Sequence, residues 1–97
     1  MNEIDVRCEP TSDGWRCAVT VGDGRRSSRH EVTVSRVDAD DLAAAHDQVG
    51  VERLLEETFD FLLERESKES ILSSFDVRVV GRYFPDYEHE IRSRLAP

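Results

Sequence analysis

A chain of 97 residues has the length of one ordinary domain, with room for one modest core and none for a second. Leu, Ile, Val and Phe fill 25 of the 97 positions, above the roughly one-fifth below which a strongly charged chain stays disordered, so a folded domain over 1–97 is expected. A formal net charge of −8 argues against gripping nucleic acid or anionic lipid as the main task, because both are held by Lys and Arg neutralising phosphate.

The first third reads as strands. Ile4, Val6 and Cys8 alternate with Asp5, Arg7 and Glu9, and beyond a Pro-Thr-Ser-Asp-Gly turn signal Trp15, Cys17, Val19 and Val21 alternate with Arg16, Ala18 and Thr20. After a looser turn over 22–28, His30, Val32 and Val34 alternate with Arg29, Glu31 and Thr33. Residues 1–37 are therefore expected to form a three-stranded antiparallel meander. A register slip of one residue would put Arg on the apolar face. Setting Ile4 against Val21, Val6 against Val19 and Cys8 against Cys17 avoids this, and a two-residue shift that moves the cysteines to a diagonal avoids it equally.

From Asp38 the period becomes helical. Asp38 is a good N-cap, and Leu42, Ala45 and His46 follow as a short helix that Gly50 is expected to break. Val51, Leu54, Leu55, Thr58, Phe59 and Leu62, widened by Phe61 and Leu63, form an amphipathic stripe that predicts a helix over 51–66 covering the apolar sheet face. Ser67 is expected to cap a short helix through Ile71, Leu72 and Phe75. Residues 76–84 fit a strand by alternation and a helix by the spacing of Val77, Val80 and Phe84, the helix being preferred. Pro85 then separates a last helix in which Tyr87, Ile91 and Leu95 recur. The fold class expected is α+β, with residues 38–97 as the helical part.

The run Phe61-Leu62-Leu63-Glu64-Arg65-Glu66, then Glu69-Ser70-Ile71-Leu72, Phe75-Asp76 and Arg82-Tyr83-Phe84-Pro85-Asp86-Tyr87-Glu88 resembles the C-terminal signature of a family of small uncharacterised bacterial proteins. The resemblance spans about thirty residues and implies a helical 76–84. That family has no assigned activity, cofactor or catalytic residue, so the resemblance implies no role for any residue.

Three clusters invite chemistry, and each has a plainer use. Glu52, Glu56, Asp60 and Glu64, with Glu57 beside them, form an acidic helix stripe that suits a basic partner or a solvated face, Arg53 relieving part of the repulsion. Cys8, Cys17 and His30 share the inner sheet face without zinc-motif spacing, and are expected to be core residues with both thiols reduced, a cross-strand disulfide being the lesser alternative and a metal site the least. Arg7, Arg16 and Arg29 on the outer face, with Arg25 and Arg26 in the loop, offer a nucleic-acid surface. They lack stacking aromatics and stand among Asp5, Glu9 and Glu31, which favours cross-strand ion pairs.

No catalytic residue, metal ligand or cofactor site is expected: His30, His46 and His89 lie in different elements with no nucleophile motif beside them. A helix-turn-helix over 68–84 has too short a turn and offers only Arg78 and Arg82 to a groove. With no apolar run near the ~18 residues of a bilayer span and an acidic N-terminus, a cytoplasmic location without a membrane partner is expected. The leading expectation is a non-enzymatic interaction or scaffold module that binds a protein partner or itself. Its surface would comprise Arg82, Tyr83, Phe84, Pro85 and Tyr87, since three aromatic rings within five residues are hard to bury together, the equal alternative being that the tail folds back and all three rings close the core. A nucleic-acid-associated protein using Arg7, Arg16, Arg25, Arg26 and Arg29 is the alternative.

Overall fold

The alternation of the first third becomes β1 (Glu3–Pro10), β2 (Gly14–Gly22) and β3 (Ser27–Ser35) in the computed structural model, which describes residues 3–96. The strands pair antiparallel with Ile4 opposite Val21, Val6 opposite Val19 and Cys8 opposite Cys17. Trp15, Cys17, Val19, Val21, Val32 and Val34 are buried on one face while Arg16, Glu31 and Thr33 are exposed on the other. Gly14 is needed where β2 begins, because a Cβ there would run into the Val34 carbonyl of β3.

Facing cysteines form a disulfide, so the expectation of two reduced thiols is overturned. The cause lies in the pairing. The Cys8 N–H donates across to Glu52 Oε2 (2.9 Å) and not to β2, which makes Cys8 and Cys17 a non-hydrogen-bonded pair, the class whose side chains approach most closely. Glu52 thereby also covers part of the β1 edge, whose open N–H groups would otherwise invite another strand.

Helix α1 (Arg36–Ala43) starts directly from β3. Its N-cap is Ser35, whose Oγ accepts from the Asp38 N–H (3.1 Å), and not Asp38 as expected. Both residues are competent caps, but the strand runs straight into the helix, so the first one available takes the position. Asp38 is instead buried in the first turn, where Arg78 donates to it through Nε (3.0 Å) and Nη2. The helix ends before His46, at a left-handed Ala44 (φ 49°).

Helix α2 (Gln48–Leu63) is capped by Asp47, which accepts from the Gly50 N–H (2.9 Å). Gly50 therefore lies in its first turn and does not break it. Its lack of a side chain serves packing, since a Cβ would sit 2.9 Å from the Cβ of Ala45 in the preceding loop. Val51, Leu54, Leu55, Thr58, Phe59, Phe61 and Leu62 are buried along α2, which packs on β1 and β2 and beside α1. Each large apolar side chain so buried contributes about 1.5–3 kcal/mol.

Beyond α2 the chain departs from the expected helix through Phe75. Only one 3-10 turn forms, Lys68–Ser70, and β4 (Ser74–Asp76) then pairs parallel to β3, giving a mixed sheet in the order β1-β2-β3-β4. A three-residue strand has too few alternations to register as one, and its pairing depends on β3, over forty residues away. The ambiguous 76–84 run divides: Phe75 and Asp76 are strand, Val77 and Arg78 turn, and Val79–Tyr83 form α3. Helix α4 (Tyr87–Leu95) packs against α1 and α2 through Tyr87 and Ile91. The protein is thus α+β, with a four-stranded mixed sheet and four α-helices among the described residues. No helix there is long and apolar enough to cross a membrane.

Candidate functional site

The signature residues fall into two groups with opposite fates. Phe61 is fully buried, with Phe84 edge-on at 5.9 Å, Tyr87 at 5.3 Å and the Arg65 guanidinium 3.6 Å above its ring. Arg65 also donates to Asp86 (2.8 Å), and Arg94 from α4 donates to both carboxylate oxygens of Glu64 (2.7 and 2.9 Å). The Thr58 hydroxyl gives its one proton to the Leu54 carbonyl (2.7 Å), so the Tyr87 hydroxyl must be the donor in its 2.7 Å bond to Thr58. Burial pushes the Tyr87 phenol well above its ordinary pKa, which keeps that proton in place. Tyr87, expected on an interaction surface, is therefore a core residue.

Leu72 and Tyr83 have the other fate, and Phe84 stands between the two. Ile71 and Leu72 are adjacent in nearly extended chain, so burying Ile71 turns Leu72 outward. The backbone is fixed there because His30 Nδ1 donates to the Leu72 carbonyl (2.7 Å) while Nε2 lies 2.8 Å from Ser28 Oγ. Lys68 anchors the same stretch through Asp23 (2.9 Å) and Glu69 (3.1 Å). Across from Leu72, the short α3 buries Val80, leaves Tyr83 68% exposed and half-buries Phe84.

Between these walls runs an open apolar groove of about 460 Å³, with Leu62, Ile71, Phe75 and Val80 among its lining residues. Phe75 lies beside Phe59, 6.1 Å between ring centroids. Glu66 is the one charged residue in the lining and makes no ion pair among the described residues. Of the five surface residues expected from sequence, Tyr83 and Phe84 line this groove. Arg82 and Pro85 are exposed, and Tyr87 is buried. Leu62, Glu66, Leu72, Phe75 and Val79 were missed. The adjacent Ile71-Leu72 pair was a usable signal, because an extended chain cannot bury both.

The other clusters are largely engaged in structural bonds. On the acidic stripe, Glu52 holds the Cys8 N–H, Asp60 lies 3.9 Å from Arg94, and Glu64 is held below the usual carboxylate range chiefly by its hydrogen bonds from Arg94. Among the described residues the ion pairs on the stripe come from Arg94 and Arg65, which meet Asp60 and Glu64. On the outer sheet face Arg16 lies between Glu9 (4.0 Å) and Glu31 (3.8 Å), and Arg7 lies 3.6 Å from Asp5. Arg25, Arg26 and Arg29 have no carboxylate partner among the described residues, and no aromatic ring shares that face with them. Among the described residues no group of three or more His, Cys, Asp or Glu is arranged to hold a metal ion.

Comparison with family models, curated proteins and solved structures finds no match to this chain. The resemblance of the 61–88 signature therefore rests on its own residues.

Proposed function

We propose that this chain is a non-enzymatic protein-interaction module that docks its partner in the groove between the end of α2 and α3. The observation that carries the reading is a continuous apolar cleft flanked by two exposed large side chains, Tyr83 and Leu72, on a chain of net charge −8. Contiguous exposed apolar surface of this kind marks contact sites, and Tyr is a frequent anchor in them. The other strongly exposed hydrophobics, Val37 and Val49, stand at helix starts and do not line the groove.

Membership of the family whose signature it resembles is part of the same proposal. The signature would then combine a packing motif around Phe61 with the groove it frames.

Site-specific photo-crosslinking in the cells of origin tests the reading. A photoreactive residue at position 83 or 72 is expected to give discrete protein adducts that are absent when the probe stands at 37 or 49. Equal labelling at all four sites would reject the groove. The arginine surface is favoured as a second reading by Arg25, Arg26 and Arg29, which have no carboxylate partner among the described residues, and heparin retention abolished by Arg25→Ala with Arg26→Ala would promote it.

A further inference from the structure

We propose that the groove's occupant is an extended peptide segment that adds to the sheet as a strand beside β4, with alternate apolar side chains filling the groove and a Lys or Arg meeting Glu66. This rests on the reading of the groove as a protein-docking surface and specifies how docking occurs.

The backbone of β4 supplies the first reason. In its parallel pairing with β3 the Ser73 carbonyl accepts from the Glu31 N–H (2.8 Å) and the Val77 N–H donates to the Thr33 carbonyl (3.0 Å). Groups two residues apart point the same way along a strand. The backbone groups of residues 73, 75 and 77 thus turn to β3, and those of Ser74 and Asp76 turn to the open edge. β4 ends the strand order, so no strand among the described residues takes those groups. The opposite edge differs, since Glu52 has taken the Cys8 N–H of β1.

Side-chain placement supplies the second. Phe75 lines the groove, so an incoming strand beside β4 presents every second side chain to that same apolar layer. Backbone pairing gives such a complex its affinity and the alternate pockets give its specificity.

Charge supplies the third. Glu66 is the groove's one charged residue and has no ion partner among the described residues, and residues 38–75 hold eleven acids against Arg53, Arg65 and Lys68. A cationic side chain on the occupant is complementary to this, whereas a second copy of a chain carrying −8 is opposed.

A phage-displayed library of random nonapeptides selected on the disulfide-intact protein tests the proposal. Enrichment of sequences alternating apolar residues with Lys or Arg is expected. The best synthetic peptide should lose at least tenfold in affinity when alternate backbone nitrogens are methylated, which blocks strand pairing and keeps the side chains. Ser74→Pro should lose a similar factor with an unchanged far-UV spectrum, because that N–H faces away from β3 and Pro is tolerated there. Glu66→Lys should weaken binding severalfold.

Methylation without effect would overturn strand addition while leaving the groove as a docking site. Apolar residues selected at helical spacing would do the same. No enrichment at all, or a dimer in sedimentation that Tyr83→Ala dissociates, would overturn the peptide occupant. Loss of crosslinking specificity at positions 83 and 72 would remove the docking surface itself.

Discussion

The sheet with α2 and the segment after Lys68 are built from similar side chains under different rules. In the first, periods of two and 3.6 assign each apolar residue to one face, and one helix covers that face: Val19, Val21, Val32, Val51, Leu54, Leu55 and Phe59 are almost wholly shielded from water. In the second, the elements are three, five and nine residues long, too short for a period to decide burial, and each position is set by a partner far along the chain. The result is uneven. Tyr87 and Ile91 vanish into the core, while Leu72 and Tyr83 remain outside. Where periodicity rules, the apolar stripe is buried, and Val49 in the first turn of α2 stands off it. Where it does not, exposure is available for binding.

The comparison breaks first at Phe59. It is buried at the centre of the α2 stripe, with His30 at 5.2 Å and Phe75 at 6.1 Å, so Phe59→Ala should cost about 3–5 kcal/mol and leave so small a domain largely unfolded. A melting temperature lowered by only a degree or two would mean that α2 does not seal the sheet.

The disulfide should come next. It closes a loop of sequence separation 9, for which the chain-entropy model gives roughly 2–3 kcal/mol. Cys8→Ala with Cys17→Ala should lower the urea midpoint accordingly, and reductant should lower the wild-type midpoint alone. Two free thiols titrating in the native protein would show that the link does not form. A smaller loss is expected from Tyr87→Phe, which removes the hydrogen bond donated to Thr58 and should cost about 1 kcal/mol by denaturant titration. No loss would mean that the phenol has another partner.

Legibility from sequence follows the same division. The three strands, their antiparallel order and the 51–66 stripe could be read because each is announced by several residues in phase. Only one of the two registers that keep Arg off the apolar face sets Cys8 against Cys17, and in a chain placed in the cytoplasm the cysteines were read as two small hydrophobes. β4 could not be read, since only three residues announce it and their partner strand precedes two helices. Gly50 misled because a glycine near a helix start looks like a breaker when its neighbour in space, Ala45, is unknown. The groove was half legible: crowding among Tyr83, Phe84 and Tyr87 pointed to a ring left outside, with closure of all three over the core an equal alternative, and only the α4 packing decides that Tyr87 goes in and Tyr83 out.

A pH test probes Asp23, which closes its own turn and also reaches Lys68 in the later segment. Asp23 is held far below the usual carboxylate range, first by the Arg26 N–H (2.8 Å), then by Lys68 (2.9 Å) and the Arg25 N–H (3.0 Å). A carboxyl whose folded-state pKa is depressed stabilises the fold fully above its unfolded value, near 3.9, and progressively less as pH falls towards the folded one. The difference in urea midpoint between wild type and Asp23→Asn should therefore be constant from pH 7 to about 5 and narrow below about pH 4. A difference that widens on acidification would show that Asp23 is not held ionised by these donors.

The smallest expected effect on stability is at Tyr83. A ring 68% exposed has little burial to lose, so Tyr83→Ala should change stability by no more than about 0.5 kcal/mol, whereas Tyr87→Ala, four residues on, removes a fully buried ring and should cost several. The contrast within one signature is what makes the pair diagnostic. If both variants melt early, α3 closes over the groove in solution, both rings are packing residues, and the docking surface does not exist. If Tyr83→Ala alone keeps its melting temperature while losing the protein adducts that a probe at position 72 gives in the wild type, then the residues left outside by the short elements are those that bind.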